Sequence, residues 1–516
     1  MKIALLLFLL SLHLHGAERP NILFLFADDL GRYASAYADS ETPSPNDVIR
    51  TPIFDRLAAS GARFENAFVS APSCTPSRGS VYTGRHFFRN GSASQLHNPW
   101  QPNTPDPFTA VKGMPNTLAE AGYHIGWSHK WHLRESLIGG KANEFSASGN
   151  RINQYSQTVS KSPDPDAAKA AVLEEVRANF RAFLTKRAEN QPFFYSFNPT
   201  NTHRKWIRGS GKELWNLNPD DLRGKLPPFL PDTAVIREDF SDYLGEAMAF
   251  DAACGVILKE LEDRGELANT LVCISGDHGI PGFPRGKCNV HDFGSRVLLG
   301  MSWPGRITAG RIVRTPVSLV DLAPTFLSAA GLESPDDPNG ENLLPALADH
   351  GDDSQLRSWA IIGRETHVHQ ARTSSLPYPV RALRTADFLY IRNFKPDRTP
   401  MGDPPKPAAG DPSFDQLTNN TRIGYADIDA SPTKAWLYRH RKDATLQRFL
   451  RYAWEKRPAE ELYELKSDPF QQDNLADDPE WAERKAQLAS QLLAELRKNN
   501  DPRLVDAFDS VPYLVR

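Results

Sequence analysis

The residues best suited to chemistry begin with the segment Cys74-Thr75-Pro76-Ser77-Arg78, which Thr83-Gly84 closes. A cysteine in this setting is a candidate for a modified, chemically active residue. The structural alternative is a lone cysteine in a turn containing proline and serine, since five matching residues can coincide by chance. Other parts of the chain must decide between these two interpretations.

A second group of candidates is acidic. Asp28-Asp29 and Asp277-His278 each follow a run of apolar residues. Adjacent carboxylates repel each other, so burying them together normally requires a cation. Three carboxylates with one further ligand suit a hard divalent cation, and the predominance of oxygen favours Ca²⁺ over Zn²⁺. The alternatives are aspartates that cap helices or lie in loops, and a histidine that only hydrogen-bonds to a ligand.

These candidates lie at the ends of predicted strands. Apolar runs with few interruptions predict strands buried on both faces, as in parallel sheets, at 21–27, 193–197 and 271–275. Helical patterns separate them at 51–61, 116–122, 166–187 and 239–265. Strands alternating with helices predict a doubly wound α/β fold, in which ligands bind just past the strand ends.

The pattern changes beyond about residue 376. Short strands of a smaller sheet are predicted at 388–391 and 461–465, and an amphipathic helix is predicted at 481–498. We therefore expect a signal segment, a catalytic domain and a C-terminal subdomain, over 1–17, 18–375 and 376–516.

Composition limits the class of protein. The chain has 516 residues and a formal net charge of −3, which argues against a nucleic-acid binder. An anionic substrate stays open, because a pocket needs only a few local cations. Lys2, the apolar run 3–14 and the small residues Gly16 and Ala17 predict an export signal, with an uncleaved anchor as the alternative. We expect export to the periplasm, the medium or an equivalent compartment, and no membrane span.

Few cysteines are available for disulfides. With Cys74 set aside, the sequence contains Cys254, Cys273 and Cys288, so at most one disulfide can form. The sequence does not choose the pair. The fold must therefore be held by its core.

Together these features resemble the type I, formylglycine-dependent sulfatases of the alkaline-phosphatase superfamily. In that family the cysteine is oxidised to Cα-formylglycine (3-oxoalanine), whose hydrated aldehyde is the nucleophile. The resemblance implies a mixed, mostly parallel sheet flanked by helices, with a smaller C-terminal α+β subdomain containing an antiparallel sheet. It rests on landmarks that occur in family order: Ala27-Asp28-Asp29, Cys74 to Gly84, Lys130-Trp131-His132, His203, Asp277-His278-Gly279, Lys287, and the segments 317–331 and 461–475.

The resemblance also implies a metal site. Asp28, Asp29, Asp277 and His278 would hold one Ca²⁺ per chain beside the modified Cys74, which would itself be a ligand. The family often has asparagine at the position of His278, so this ligand departs from the common pattern.

Five further residues receive catalytic roles from the resemblance. Arg78 and Lys130 would neutralise the oxygens of the diol and the sulfate, and His132 would hydrogen-bond the formylglycine hydroxyl. His203 and Lys287 would lie near the leaving atom, with His203 as the general acid.

Within the family the layout is closest to the heparan N-sulfatases, the N-sulfoglucosamine sulfohydrolases. Arg204, Glu365, His367 and Arg381 resemble substrate-binding segments of that group. The segment 198–202 departs from the group's pattern where sugar rings would be contacted. The alternative is that Glu365 and the neighbouring histidines seal a domain interface.

The sequence therefore predicts an exo-acting sulfatase that removes the N-sulfate of a terminal glucosamine in heparan-type saccharides. One alternative is a glycan O-sulfatase for another polysaccharide. A phosphomonoester or phosphonate hydrolase would share the fold and the metal, because the tetrahedral anions are similar. A catalytically silent carbohydrate-binding relative is disfavoured, because every expected catalytic position is filled. The implied partners are a sulfated saccharide and a formylglycine-generating enzyme; the oligomeric state is left open.

Overall fold

The structure, a computed structural model, describes residues 19–97, 100, 104–334, 337–406 and 410–510. The predicted signal segment 1–17 lies outside these residues. Within the described part of the chain, no helix has the length and apolar character needed to cross a membrane.

A seven-stranded sheet forms the centre of the larger layer. In spatial order its strands are β4 (His124–His129), β5 (Phe193–Asn198), β1 (Asn21–Ala27), β6 (Thr270–Gly276), β8 (Leu299–Ser302), β2 (Ala62–Phe64) and β9 (Arg311–Val313). The first four run parallel to one another, whereas β8 is antiparallel to both of its neighbours. A three-stranded sheet beside it contains β3 (Ala67–Phe68), β7 (Arg296–Val297) and β10 (Val317–Ser318).

Both faces of the central sheet are buried, which explains the apolar runs in the sequence. Along β1, Leu23 and Leu25 pack into one hydrophobic core, while Phe24 and Phe26 pack into the other. The predicted strands β1, β5 and β6 are confirmed. No strand was predicted at β4, whose central residues are buried but whose terminal histidines are half-buried.

Helices cover both faces of the sheet. The first core lies under α1 (Pro52–Ser60), α5 (Pro165–Lys186) and α7 (Ala234–Asp263), and the second under α2 (Cys74–Thr83), α3 (Met114–Glu120) and α9 (Leu322–Ala329). The remaining helices of this layer are α4 (Tyr155–Val159), α6 (Ser210–Trp215), α8 (Asp292–Ser295) and α10 (Leu344–Leu347). The predicted α/β class with helices on both faces is confirmed.

The C-terminal layer is an antiparallel sheet. Its strands are β11 (Trp359–Arg364), β12 (Val380–Thr385), β13 (Phe388–Asn393) and β14 (Glu460–Glu464). The expected boundary at 375/376 falls between its first two strands. Four helices accompany the sheet: α11 (Phe414–Asn419), α12 (Pro432–Arg439), α13 (Gln447–Ala453) and α14 (Ala482–Lys498).

The apolar stripe of α14 packs on this sheet, as its amphipathic pattern predicts. Leu488, Leu492 and Leu496 share a core with Leu383 of β12 and Tyr390 of β13. The four cysteines of the chain are all buried free thiols. The structure therefore contains no disulfide among the described residues, and the two layers are held by packing and ion pairs.

Candidate active site

Most of the predicted functional residues lie together at one edge of the central sheet. The strands β4, β5, β1 and β6 are adjacent and parallel, so their carboxyl ends meet at this edge. Asp28 follows β1, Asp277 follows β6, Lys130 follows β4, and Asn198 ends β5. Backbone hydrogen bonds extend the strand pairing past the strand ends. The amide of Asp277 donates to the carbonyl of Ala27, and the amide of Lys130 donates to the carbonyl of Asn198.

Three carboxylates and one imidazole form the centre of the cluster. Asp28, Asp29, Asp277 and His278 are all completely buried. The amide of Asp29 donates to Oδ1 of Asp277 at 2.7 Å. His278 Nε2 lies 3.2 Å from Oδ1 of Asp29, while its Nδ1 lies 3.1 Å from the carbonyl of Gly279. A carbonyl can only accept, so Nδ1 carries a proton, and Nε2 is the ring nitrogen that faces the carboxylates.

Cys74 begins helix α2 and faces this cluster. Its Sγ lies 3.4 Å from Nε2 of His278 and 3.8 Å from Oδ1 of Asp29. Burial raises the pKa of the Cys74 thiol well above its ordinary value, and the nearby Lys130 and Lys287 do not offset it. The unmodified side chain is therefore a neutral thiol at physiological pH, which is a poor nucleophile.

Two cations balance Asp28 and Asp277. Arg78 donates from Nε to Oδ2 of Asp277 at 2.9 Å and from a terminal nitrogen to Asp28 at 3.2 Å. Lys130 Nζ lies 2.6 and 2.7 Å from the two oxygens of Asp28. Burial by itself would raise the pKa of Asp28, but Lys130 and Arg78 outweigh burial and hold this pKa well below its ordinary value.

The opposite side of the cluster carries Lys287 and His203. Lys287 Nζ lies 2.9 and 3.1 Å from the two oxygens of Asp29. Burial opposes the charge of Lys287, yet the Asp29 carboxylate keeps its pKa well above the ordinary value. His203 Nε2 lies 3.9 Å from Oδ2 of Asp29, and its side chain is 35% exposed. His203 therefore stands at the opening of an otherwise buried site.

His132 lies beside the first turn of α2. Its carbonyl accepts from the hydroxyl of Thr75 at 3.3 Å, and its ring stacks on Trp100 with centroids 5.4 Å apart. Burial, and then Lys130, lower the pKa of His132 well below its ordinary value, so the ring is neutral. His132 and Asp29 both have positive φ, at 57° and 54°. Such backbone persists where the surroundings over-determine it, which is common at active sites.

A family comparison identifies this arrangement. The profile of the sulfatase family matches residues 20–332, which is more than half of the chain. The chain belongs to the sulfatase family. The predicted resemblance and the predicted class of hydrolase are thereby confirmed.

Individual relatives share low sequence identity with this sulfatase, but the matches span most of both chains. It is 28% identical to N-sulphoglucosamine sulphohydrolase of Homo sapiens, over 96% of this chain and 93% of the relative. It is 26% identical to an ulvan-active sulfatase of Formosa agariphila, over 94% of this chain and 74% of the relative. Among solved structures, that of BT4656 with its substrate D-glucosamine-2-N,6-O-disulfate shares the fold, with a TM-score of 0.60, 20% identity, and coverage of 94% of this chain and 98% of that one.

Sulfatases generally use formylglycine and a divalent metal, and the donor set of this sulfatase fits a metal. Candidate ligand atoms of Asp28, Asp29, Cys74, Asp277 and His278 fall into overlapping groups, each within 4.8 Å. Buried carboxylate oxygens predominate, which suits a hard cation. Deprotonated Nε2 of His278 would supply the additional donor to a bound cation, and the Nδ1–H bond to a carbonyl fixes the ring as metal-binding histidines require.

Arg204 does not offer a free guanidinium. It makes a bidentate pair with Asp239, at 2.8 and 3.0 Å, and stacks over Trp206 at 4.1 Å. Its side chain is 6% exposed. Substrate binding by Arg204 stays a prediction, and its pairing with Asp239 shows a structural role inside the protein.

Glu365 and Arg381 lie in a separate ion network of the C-terminal layer. Arg381 donates to both Asp501, at 2.6 and 3.0 Å, and Glu365, at 2.9 Å, and Arg503 donates to Glu365 at 3.1 Å. The side chains of Arg381, Glu365 and Arg503 are fully buried. The predicted role of Glu365 and Arg381 in substrate binding stays a prediction, and these contacts favour the alternative stated for Glu365, that it seals an interface.

His367 is the predicted substrate residue that the structure brings to the cluster. Its Nδ1 lies 2.8 Å from the hydroxyl of Ser73, the residue before Cys74. The ring is buried, and burial followed by Lys287 lowers its pKa well below the ordinary value. His367 thus supports the start of α2 as a neutral ring.

Two residues of the site escaped the sequence analysis. Asn198 accepts from Arg78 at 3.2 Å and ends a buried strand, so the rule that found Asp28 and Asp277 could have found it. Asp429 lies 3.5 Å from Lys287 Nζ. It belongs to the C-terminal part of the chain, and no local pattern marks it.

Proposed function

We propose that this chain is a formylglycine- and Ca²⁺-dependent sulfatase that removes the N-sulfate of a terminal glucosamine in heparan-type saccharides. The observation that carries the chemical part is the site at one sheet edge, where Cys74 faces three buried carboxylates and is surrounded by Arg78, Lys130 and Lys287. We include export, with 1–17 as a signal, in the same proposal.

The cations of the site are arranged for a tetrahedral anion. Arg78 comes from helix α2, Lys130 follows β4 and Lys287 lies between β6 and α8, and each already pairs with a carboxylate of the cluster. Charge that develops on sulfate oxygens would be met by groups already in place, which is the usual source of electrostatic catalysis. The three carboxylates keep these cations charged although they are buried.

Position 74 holds the nucleophile in this proposal. Formylglycine formed there would supply, when hydrated, one hydroxyl as the nucleophile for sulfur and a second hydroxyl for the release of sulfate. The chain contributes the setting: position 74 is the first residue of α2, and its side chain faces Asp29 and His278. The neutral ring of His132 beside the first turn of α2 is suited to accept a proton from the diol.

The cation would be held by Asp28, Asp29, Asp277 and His278. When bound it supplies Lewis-acid activation and offsets the charge of the carboxylates. The chain keeps each ligand oriented: the Asp29 amide holds Asp277, and the Gly279 carbonyl holds His278. Oxygen predominance favours Ca²⁺ as the ion.

His203 is placed to protonate the leaving atom. Its Nδ1 lies 2.7 Å from the carbonyl of Arg204, so Nδ1 carries a proton and Nε2 faces the site. Its partial exposure puts it on the side from which a saccharide enters. A proton delivered from Nε2 would let the nitrogen leave as an amine rather than as an amide anion.

The proposed substrate is supported by similarity rather than by geometry. The human relative is named N-sulphoglucosamine sulphohydrolase, and the match spans nearly the whole of both chains. The structure of BT4656 holds a glucosamine bearing an N-sulfate and an O-sulfate, but it shares only the fold with this chain. The ulvan-active sulfatase is similarly distant, which keeps a glycan O-sulfatase as the second candidate.

The test uses protein co-produced with a formylglycine-generating enzyme, with conversion of Cys74 measured by peptide mass. We expect kcat/KM on glucosamine N-sulfate to exceed that on glucosamine 6-sulfate and on 2-O-sulfated saccharides by about 10²-fold. Cys74→Ala protein is the control for contaminating activity. Cleavage confined to O-sulfates would defeat the substrate assignment, and faster turnover of phosphate monoesters would favour the phosphohydrolase alternative.

A further inference from the structure

The C-terminal part of the chain contributes a carboxylate to the active site. Asp429 lies between α11 and α12, and its Oδ2 is 3.5 Å from Nζ of Lys287. The same Nζ bonds to both oxygens of Asp29. Lys287 therefore connects Asp429 to the group that faces Cys74.

Asp429 has hydrogen-bonding capacity to spare. Its Oδ2 is covered by protein but has no hydrogen-bond donor among the described residues, and its side chain is 14% exposed. Asp427, two residues earlier, differs: it accepts from the amide of Val368 at 2.9 Å and also pairs with Arg372. A structural role accounts for Asp427 but leaves Asp429 unexplained.

Asp429 is ionised in this environment. Burial by itself would raise its pKa, but Lys287, followed by His203 and His367, lowers the pKa below its ordinary value. A fixed negative charge repels sulfate oxygens, so this carboxylate is unsuited to the sulfate subsite. Its neighbours Lys287 and His203 are the groups proposed to lie near the leaving atom. Its charge therefore lies beside the groups that are proposed to contact the part of the substrate that leaves.

The leaving group differs in charge between the two classes of substrate. For an N-sulfate, R–NH–SO₃⁻ + H₂O gives R–NH₃⁺ + SO₄²⁻; the S–N bond breaks, its electron pair stays on nitrogen, and the amine ends as a cation. For an O-sulfate, R–O–SO₃⁻ + H₂O gives R–OH + SO₄²⁻ + H⁺, and the leaving group is neutral. Protonation of the sulfamate nitrogen before cleavage already places positive charge there. A nearby carboxylate stabilises the first case and not the second.

We propose that Asp429 is a specificity-determining residue that favours N-sulfates, by facing the nitrogen as it becomes positively charged. This inference rests on the proposed function and deepens it, because it assigns the preference for nitrogen over oxygen to one carboxylate of the C-terminal layer. It also explains why the chain brings a negative charge into a site built for an anion.

The experiment compares fully converted wild-type and Asp429→Asn proteins on glucosamine N-sulfate and on 4-nitrophenyl sulfate. We expect kcat/KM on the N-sulfate to fall about 10²-fold, and kcat/KM on 4-nitrophenyl sulfate, whose leaving group gains no positive charge, not to fall. Asp411→Asn is the matched control, since it removes a carboxylate of the same C-terminal part that pairs with Arg441 near the surface. Both activities of this control should stay at the wild-type level.

Each other outcome has a definite meaning. An equal loss on both substrates would show that Asp429 acts through Lys287 in general catalysis, and an unchanged N-sulfatase would show that it has no role; either overturns the inference while the proposed function stands. Wild-type protein without N-sulfatase activity would overturn both.

A second measurement does not depend on the folding of a variant. Glucosamine and N-acetylglucosamine are compared as product inhibitors of the wild-type enzyme. The cationic amine should inhibit at about tenfold lower concentration than the neutral amide if a carboxylate faces this position. Equal inhibition would contradict the inference.

Discussion

Two buried ion clusters of this protein both pair carboxylates with cations, but only one of them has all its charged groups paired within the protein. In the C-terminal network, Arg381 and Arg503 pair with Glu365 and Asp501, and the arginines' guanidinium groups point only at protein acceptors. At the sheet edge, carboxylates, lysines and an arginine also pair, but the cluster opens at the half-exposed His203 and contains the thiol of Cys74. The C-terminal network is therefore paired within the protein, whereas the sheet-edge cluster is open at His203.

The difference teaches that burial of charge does not by itself indicate function. A buried pair costs desolvation free energy, and removing one partner leaves an uncompensated charge. In the C-terminal network, mutual pairing offsets that cost and joins the sheet to the chain's last segment. At the sheet edge, Nε2 of His278 faces the carboxylates, and Oδ2 of Asp429 accepts no hydrogen bond from the described residues. Unused capacity, rather than charge, distinguishes the site.

The sharpest test of the comparison is Cys74→Ala. We expect sulfatase activity to fall by about 10⁴-fold or more, because the proposed nucleophile is removed, while the melting temperature hardly changes. Steady-state kinetics and thermal unfolding measure the two effects. The control is Cys254→Ala, which changes a buried thiol of α7 and should leave the activity unchanged. Retention of activity in the Cys74 variant would show that chemistry lies elsewhere.

Metal removal should have the next largest effect. After chelation we expect activity to fall about 10³-fold and to return with Ca²⁺. At a Ca²⁺ concentration 100 times its Kd, binding should add about 2.7 kcal/mol to the free energy of unfolding of wild-type protein. Asp277→Asn should lose both responses. A variant that Ca²⁺ still stabilises equally would place the ion at another site.

His203→Gln should separate leaving groups. We expect kcat on glucosamine N-sulfate to fall about 10²-fold, because the nitrogen needs a proton to leave. On 4-nitrophenyl sulfate the loss should be a few-fold at most, because nitrophenolate leaves without protonation. Parallel kinetics on both substrates decide the point. A similar loss on each would assign His203 to sulfate binding.

Glu365→Gln should have the smallest effect on activity and a large one on stability. We expect the free energy of unfolding to drop by about 3–5 kcal/mol, because Arg381 and Arg503 lose a shared buried partner. The kcat/KM of the folded enzyme should stay within about threefold of wild type. Denaturant unfolding and kinetics at low temperature test this. A fall in kcat/KM with unchanged stability would instead show that Glu365 acts in substrate binding.

The central part of the site could be predicted from the sequence because its signals are local. Asp28 and Asp277 each follow an apolar run long enough to be a buried parallel strand, and parallel strands bring their carboxyl ends together. Lys130 was predicted only through the family resemblance, since the strand before it has half-buried ends. No helix or strand was predicted at Cys74, where the structure has the start of α2.

For other residues the sequence could not predict the contacts, because these depend on partners distant in sequence. Glu365 and Arg381 have the residue types of a substrate site, yet Asp501 and Arg503 use up their hydrogen-bonding capacity. Arg204 is similarly paired with Asp239 of α7. Asp429 shows the reverse, a residue without any local signal that the C-terminal layer places against Lys287.

The sequence by itself determined the types of group, their order, and the strand ends at which Asp28 and Asp277 meet Cys74. The local pattern of apolar residues suffices to predict these strand ends, because a short, nearly uninterrupted apolar run is typical of a strand buried on both faces. Only the tertiary structure decided which buried charges are saturated and which remain available. The physical reason is that desolvation and ion pairing depend on every neighbour in space, and at the sheet edge those neighbours come from both layers of the fold.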